Sequence, residues 1–275
     1  MARIGRFIVL LYHDVYRGSL DQYGKIGRSA TKYHISLDAF QSHLAAAYVG
    51  GLQPVGIDDL EGAYMGGSTS GLPGVLICFD DGWQGAILHA AEAMTERRIP
   101  GFFFVTSGFV GRRLFATPAE LRALDATLHA IGSHGASHRM LSSLTTSAIR
   151  EELVGSRKEL EDITGRGIKA LSVPGGAVDR RVVGEAREAG YEYVFTSRVA
   201  VNPTRGGALD IGRLGVSAAT NFSTLERWLR FRLGPERVRR GILGIPKALL
   251  GMRTYSRVRR ALLGEATGHD HVFEP

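Results

Sequence analysis

The amino-acid sequence predicts an α/β fold, in which strands of a parallel sheet alternate with helices and the sheet can close into a barrel. Three observations predict it. Apolar runs of strand length recur at residues 75–79, 101–106, 169–173 and 193–196. Segments of helical periodicity lie between or beside them at 86–97, 118–130, 146–164 and 180–189. The chain has 275 residues, 44% of them hydrophobic, enough to bury the core of one large domain or two small ones.

Taken in order, the first strand is the apolar run 7–12. It follows a basic start and flows into His13-Asp14 with no small-residue cleavage site, so no signal peptide is predicted. Residues 16–33 are polar and glycine-dotted and predict a long loop. Leu37, Phe40, His43, Leu44 and Tyr48 then recur at helical spacing up to Gly50-Gly51. A short strand at 53–55 and a short helix at 58–64 precede a Gly/Ser-rich connection at 66–74. Beyond the repeated units, residues 131–133 give a short strand and 210–216 a last one. Residues 1–220 are thus expected to form the barrel, and 221–275 a basic helical C-terminal extension.

The net charge is +7, and it is unevenly placed. Residues 222–263 carry eleven Lys or Arg against Glu226 and Glu236, a net +9 that leaves −2 to the rest of the chain. Leu249, Leu250, Met252, Tyr255, Val258, Leu262 and Leu263 fall mostly along one side of a helix, with Arg253, Arg257 and Arg260 on another. Such a segment can make peripheral contact with an anionic membrane surface, or pack its apolar side on the barrel. No recognised nucleic-acid module accompanies the charge, so nucleic acid is not the expected partner. No apolar run approaches bilayer length, and the expected location is cytoplasmic, with membrane association through the extension. The single cysteine, Cys78, excludes an internal disulfide and is expected in the core.

Chemistry concentrates at two places. Asp80-Asp81-Gly82 ends the 75–79 strand, where alternating side chains would send the two carboxylates in different directions. One could then hold a cation while the other stays free as a base; an acidic turn is the plainer alternative. The second place is His134-Gly135-Ala136-Ser137-His138, after the short strand 131–133. If the chain turns helically there, the two imidazoles share a face and can converge with a carboxylate on one ion. Three protein ligands leave a coordination position open for water. His34, His43, His89 and His129 lie outside any metal-like spacing and are expected as surface or helix residues.

Phe79-Asp80-Asp81-Gly82, Ser133-His134-Gly135-Ala136-Ser137-His138 and Val173-Pro174-Gly175-Gly176 resemble the first three motifs of the polysaccharide deacetylases, the NodB-homology group of carbohydrate esterase family four. The resemblance spans residues 7–216 in motif order. It implies a distorted (β/α) barrel of the NodB-homology type and metal-dependent hydrolysis of the N-acetyl amide of a sugar in a polysaccharide, oligosaccharide or glycoconjugate precursor. By motif position Asp80 matches the catalytic base, and Asp81, His134 and His138 the ligands of a divalent metal. Zinc is the first choice for such a donor set, with cobalt or nickel also accepted. Gly175 matches the position whose backbone N–H meets the oxyanion, with Pro174 and Gly176 beside it toward substrate. Trp83 could stack on a sugar ring or fill the core.

Two positions depart from the family pattern. The third motif commonly begins with an arginine that orients the base, and Ser172 stands there instead. A late Leu-x-His motif supplying the general acid is missing from Ile211-Gly212-Arg213-Leu214-Gly215. Leu11-Tyr12-His13-Asp14 offers a substitute, because it resembles the opening motif of the permuted poly-N-acetylglucosamine deacetylases, whose N-terminal histidine is the acid. His13 is therefore assigned that role, and Arg213 the positive charge missing at Ser172. Asp14 could support His13 or the metal, or cap the loop that follows. Two other functions stay open: a catalytically silent carbohydrate-binding protein on the same fold, and an amidase or deformylase acting on a non-polymeric amide.

Overall fold

The computed structural model describes residues 4–24, 26–65, 71–124, 126–203 and 208–238. In chain order the strands are β1 (Ile4–Tyr12), β2 (Asp14–Tyr16), β3 (His34–Ser36), β4 (Gln53–Pro54), β5 (Leu72–Phe79), β6 (Gly101–Val105), β7 (His129–Ser133), β8 (Ala170–Ser172), β9 (Tyr193–Phe195), β10 (Asn202–Pro203) and β11 (Leu214–Gly215). The helices are α1 (Arg28–Thr31), α2 (Leu37–Val49), α3 (Ile57–Met65), α4 (Ala91–Thr95), α5 (Pro118–Ala123), α6 (Thr146–Thr164), α7 (Arg180–Glu188) and α8 (Phe222–Leu229).

Nine strands form one sheet in the order β10-β1-β5-β6-β7-β8-β9, with β11 on β1 and β4 on β5. Its pairings are parallel except for β10 against β1. Ile211 bridges to Phe195 of β9, and Leu214 pairs with Leu10 of β1, so residues 211–215 carry the sheet round from its last strand to its first. The outcome is the distorted (β/α) barrel that the sequence predicts.

The apolar runs are continuous because both faces of the sheet are covered. Ile77 and Phe79 of β5 face a core shared with Phe40 and Leu44 of α2 and Leu153 and Leu160 of α6. Leu76 and Cys78 face the barrel interior with Val9, Phe102, Phe104 and Phe195. Asp80 continues the interior row by alternation. The helices begin where the sequence caps them. Thr117 and Glu120 form a reciprocal capping box ahead of α5, Thr145 caps α6, and Asp179 accepts two backbone N–H groups at the start of α7. Gly165, at φ 68°, ends α6 in the left-handed region.

Two expectations change. The 16–33 loop carries structure: Ser19 caps a 3-10 turn at Leu20–Tyr23, α1 follows, and β2 pairs in parallel with β3 across the whole segment. The predicted 118–130 helix stops at Ala123, because His129 and Ala130 pair with Gly101 and Phe102 of β6. Ladder pairing overrides helical propensity there. The described part of the C-terminal extension, up to residue 238, packs with the barrel: Leu225, Trp228 and Leu233 belong to the main core. The remaining residues of the extension, with the 249–263 apolar stripe, lie outside the described residues. No helix among the described residues is long and apolar enough to cross a membrane.

Candidate metal and catalytic site

The two acids at the end of β5 do not diverge. Asp81 takes a left-handed backbone, φ 76°, and Gly82 follows at φ 87°, so strand alternation ends at Asp80 and both carboxylates reach the same imidazole. Nε2 of His134 lies 3.4 Å from Asp81 Oδ1 and 3.8 Å from Asp80 Oδ2. His138 Nε2 lies 3.1 Å from Asp81 Oδ1.

The histidines converge by a route other than a helical turn. The chain after Ser133 is irregular, with Gly135 at φ 77° and His138 at φ 57°. Glu152 of α6 holds this loop, accepting the N–H groups of Ala136 (3.0 Å) and Ser137 (2.9 Å) and the Ser137 hydroxyl. Glu152 was legible as an oddity: a charged residue in register with the buried Ile149, Leu153, Ser156 and Leu160 of the same helix. His134 is oriented by Ser172, whose backbone carbonyl lies 2.8 Å from Nδ1. That contact fixes the Nδ1–H tautomer and leaves Nε2 bare. Burial pushes His134 down to about 4. For His138 the burial effect is outweighed by Asp81, and its pKa is raised.

These groups fit a divalent cation. One donor atom each from Asp81, His134 and His138 lie within 4.8 Å of one another. Asp81 Oδ1, between the two imidazoles, is buried with no hydrogen bond, which is costly for a carboxylate oxygen unless an ion completes it. Two imidazoles and a carboxylate suit zinc, cobalt or nickel and leave room for further ligands.

Asp80 is paired elsewhere. Arg213 Nη1 donates to Asp80 Oδ1 at 2.8 Å, and Arg213 Nε donates to the Thr196 carbonyl at 3.0 Å. Burial would raise the Asp80 pKa, but Arg213, His134 and His13 together hold it below the usual carboxylate range. Residues 211–215 thus deliver the cation that position 172 lacks. His13, at the end of β1, stacks on Tyr33 with ring centroids 4.5 Å apart. Burial lowers its pKa against the opposing pull of Asp81 and Asp80.

Other expected site residues are placed differently. Trp83 is 1% exposed and packs with Phe109 and Phe115, so it has no face to offer a sugar ring; its indole N–H donates to Asp81 Oδ2 at 3.1 Å. Pro174 and Gly176 are buried and shape the turn, while Gly175, at φ 65°, is its exposed member. Asp14 supports neither His13 nor the metal ligands directly; it is buried with His34, Oδ2 to Nε2 3.4 Å. His43 lies in α2 as expected, buried against the Tyr12 hydroxyl, whereas His34 and His129 are buried in or beside strands rather than superficial, His129 against Thr95.

A barrel with an Asp-His-His cluster at the carboxyl ends of its strands can be compared with known proteins. Residues 68–194 match the family model described as polysaccharide deacetylase. The match takes in the Asp80-Asp81 strand end and both histidines of the cluster. An uncharacterised 30.6 kDa protein from the fumA 3′ region of Geobacillus stearothermophilus is 23% identical over 130 residues, 46% of this chain and 48% of that protein. The chain thus spans about half the length of this curated relative. The structure of IcaB from Ammonifex degensii is similar at 24% identity and a TM-score of 0.71, covering 83% of this chain and 98% of that one. A de-N-acetylase from Aggregatibacter actinomycetemcomitans is similar at 19% identity and a TM-score of 0.70, covering 81% and 99%. These two likenesses establish the fold.

Proposed function

We propose that the chain is a metal-dependent deacetylase that hydrolyses the N-acetyl amide of a sugar in a polysaccharide, oligosaccharide or glycoconjugate precursor. The observation that carries this is the juxtaposition of the Asp81-His134-His138 cluster with an Asp80 carboxylate that is ionised by Arg213 and not needed as a ligand. A divalent cation, when bound by those three residues, supplies Lewis acidity toward the amide carbonyl and toward water.

The chain's own groups do the rest. Asp80 accepts the proton of the attacking water, and Arg213 keeps it ionised to do so. The N–H of Gly175, on the exposed turn after β8, meets the developing oxyanion. His13 donates a proton to the departing amine as the carbon–nitrogen bond breaks, giving acetate and a free amino sugar. Burial works against its protonated form, and Asp81 and Asp80 beside it favour that form. Residues 239–260 carry seven Lys or Arg and no acid, which supports peripheral contact with an anionic membrane surface.

The test measures bound metal together with acetate release from N-acetylglucosamine oligomers and from nucleotide- or lipid-linked N-acetyl sugars. Asp80→Asn and His13→Ala are expected to keep metal and lose activity. Stoichiometric metal with no acetate from any of these amides would instead favour a silent carbohydrate-binding protein.

A further inference from the structure

The two oxygens of Asp81 have different surroundings. Oδ1 is buried without a hydrogen bond and faces Nε2 of His138 at 3.1 Å and of His134 at 3.4 Å. Oδ2 accepts the indole N–H of Trp83 at 3.1 Å. An indole has one polar atom and it can only donate. In a side chain 1% exposed, that donor is committed to Asp81.

Trp83 is itself held on several sides. Its ring stacks on Phe115 at 4.7 Å and 28°, and the two backbones bridge. The His34 ring meets it edge-on at 4.6 Å and 78°. His34 is fixed in turn, Nδ1 lying 3.0 Å from the Ala30 carbonyl and Nε2 3.4 Å from Asp14. Phe109, in the same aromatic cluster as Trp83, faces the ring of His138 at 6.2 Å. One apolar cluster therefore braces two of the three candidate ligands.

We propose that Trp83 is a positioning residue for the metal centre, whose indole N–H occupies Asp81 Oδ2 so that the carboxylate offers the ion a single oxygen, Oδ1. A carboxylate free at both oxygens can chelate through both and take up a coordination position. A catalytic site keeps that position for water and substrate. The N–H thus sets the denticity of Asp81 as well as its direction. This rests on Asp81, His134 and His138 being metal ligands.

The experiment loads the full-length protein with Co²⁺ and compares wild type with Trp83→Phe and His138→Ala. Affinity is read by competition with a chromophoric chelator, coordination by the visible absorption of bound Co²⁺, and folding by the melting temperature of the metal-free protein. Trp83→Phe keeps the ring and removes the donor. It is expected to bind Co²⁺ about 10–100-fold more weakly, the usual effect of removing an outer hydrogen-bond partner of a ligand. Its bands should also weaken, as they do when the coordination number rises. A folded Trp83→Phe protein with wild-type affinity and spectrum overturns the proposal. If that variant does not fold, benzothienylalanine at position 83 keeps the indole's shape without its N–H, and the same two outcomes apply. Wild type that binds no Co²⁺ overturns the metal centre along with this inference. Binding that is lost in His138→Ala yet unchanged in Trp83→Phe overturns this inference alone.

Discussion

Replacing Arg213 by methionine probes the contact between fold and chemistry most directly. The Arg213 and Asp80 side chains are 1% and 4% exposed, with Nη1 and Oδ1 2.8 Å apart. At an effective dielectric of 20, two unit charges at that separation attract by about 6 kcal/mol. Desolvation opposes part of this, and removing one partner of such a pair costs about 3–5 kcal/mol because the other charge is stranded. Loss of the bond from Nε to the Thr196 carbonyl adds about 1 kcal/mol. Arg213→Met should therefore lower the unfolding free energy in denaturant by about 4–6 kcal/mol and the melting temperature by roughly 8–24 °C. Adding Asp80→Asn removes the stranded carboxylate, so the double variant should regain most of the loss. The proton affinity of Asp80 should move too. Without Arg213, burial dominates and its pKa rises; since the base works only when ionised, activity is then lost at a higher pH on the acid side of the rate profile. A loss below about 1 kcal/mol, as for an exposed pair, or strict additivity with Asp80→Asn would refute the reasoning.

Three further outcomes follow from single contacts. A Cβ at Gly176 would overlap the Ser197 side chain, and the residue sits at φ 65°; Gly176→Ala should cost about 1–3 kcal/mol in denaturant titration and disturb the turn that presents Gly175. His43 is buried against Tyr12, and burial lowers its pKa. The unfolded chain then takes up a proton first, so stability should be lost as pH falls below about 6.5. The fall in melting temperature should be smaller in His43→Gln, which keeps a partner for the Tyr12 hydroxyl. Truncation after residue 238 spares the core contacts of Leu225, Trp228 and Leu233. It should abolish flotation with anionic liposomes; equal flotation of both forms would dismiss the membrane contact.

The strands and the site were unequally legible, for physical reasons. Strands β5 and β6 were readable because a sheet covered on both faces needs unbroken apolar runs, and α6 because its cap and its helical period agree. The 16–33 segment was opaque. Its order comes from long-range contacts, the β2–β3 pairing and the buried Asp14–His34 pair, which leave no local period. At the site, residue types announced Asp80, Asp81, His134 and His138, but not how they converge. That depends on left-handed backbone at Asp81 and His138, an uncommon conformation outside glycine. Trp83 shows the limit from the other side. An aromatic beside an acidic pair suggests ring stacking, and only the structure shows that the ring is covered and its N–H engaged by Asp81.

The same distinction explains how Asp80 remains paired with a cation although Ser172 stands where the resemblance expects an arginine. The requirement on Asp80 is electrostatic: a buried carboxylate needs a positive neighbour at hydrogen-bonding distance, whichever element supplies it. Ser172 sits at the end of β8, and its carbonyl is already engaged in fixing the His134 tautomer. Residues 211–215, which join β9 to β1, run beside β1 and bring Arg213 to Asp80 across the barrel interior, past Cys78. Closure of the barrel and the ionisation of Asp80 thus fall to one short segment. Distortion at 211–215 should consequently be felt by stability and by the proton affinity of Asp80 together, even where no group of the site is altered.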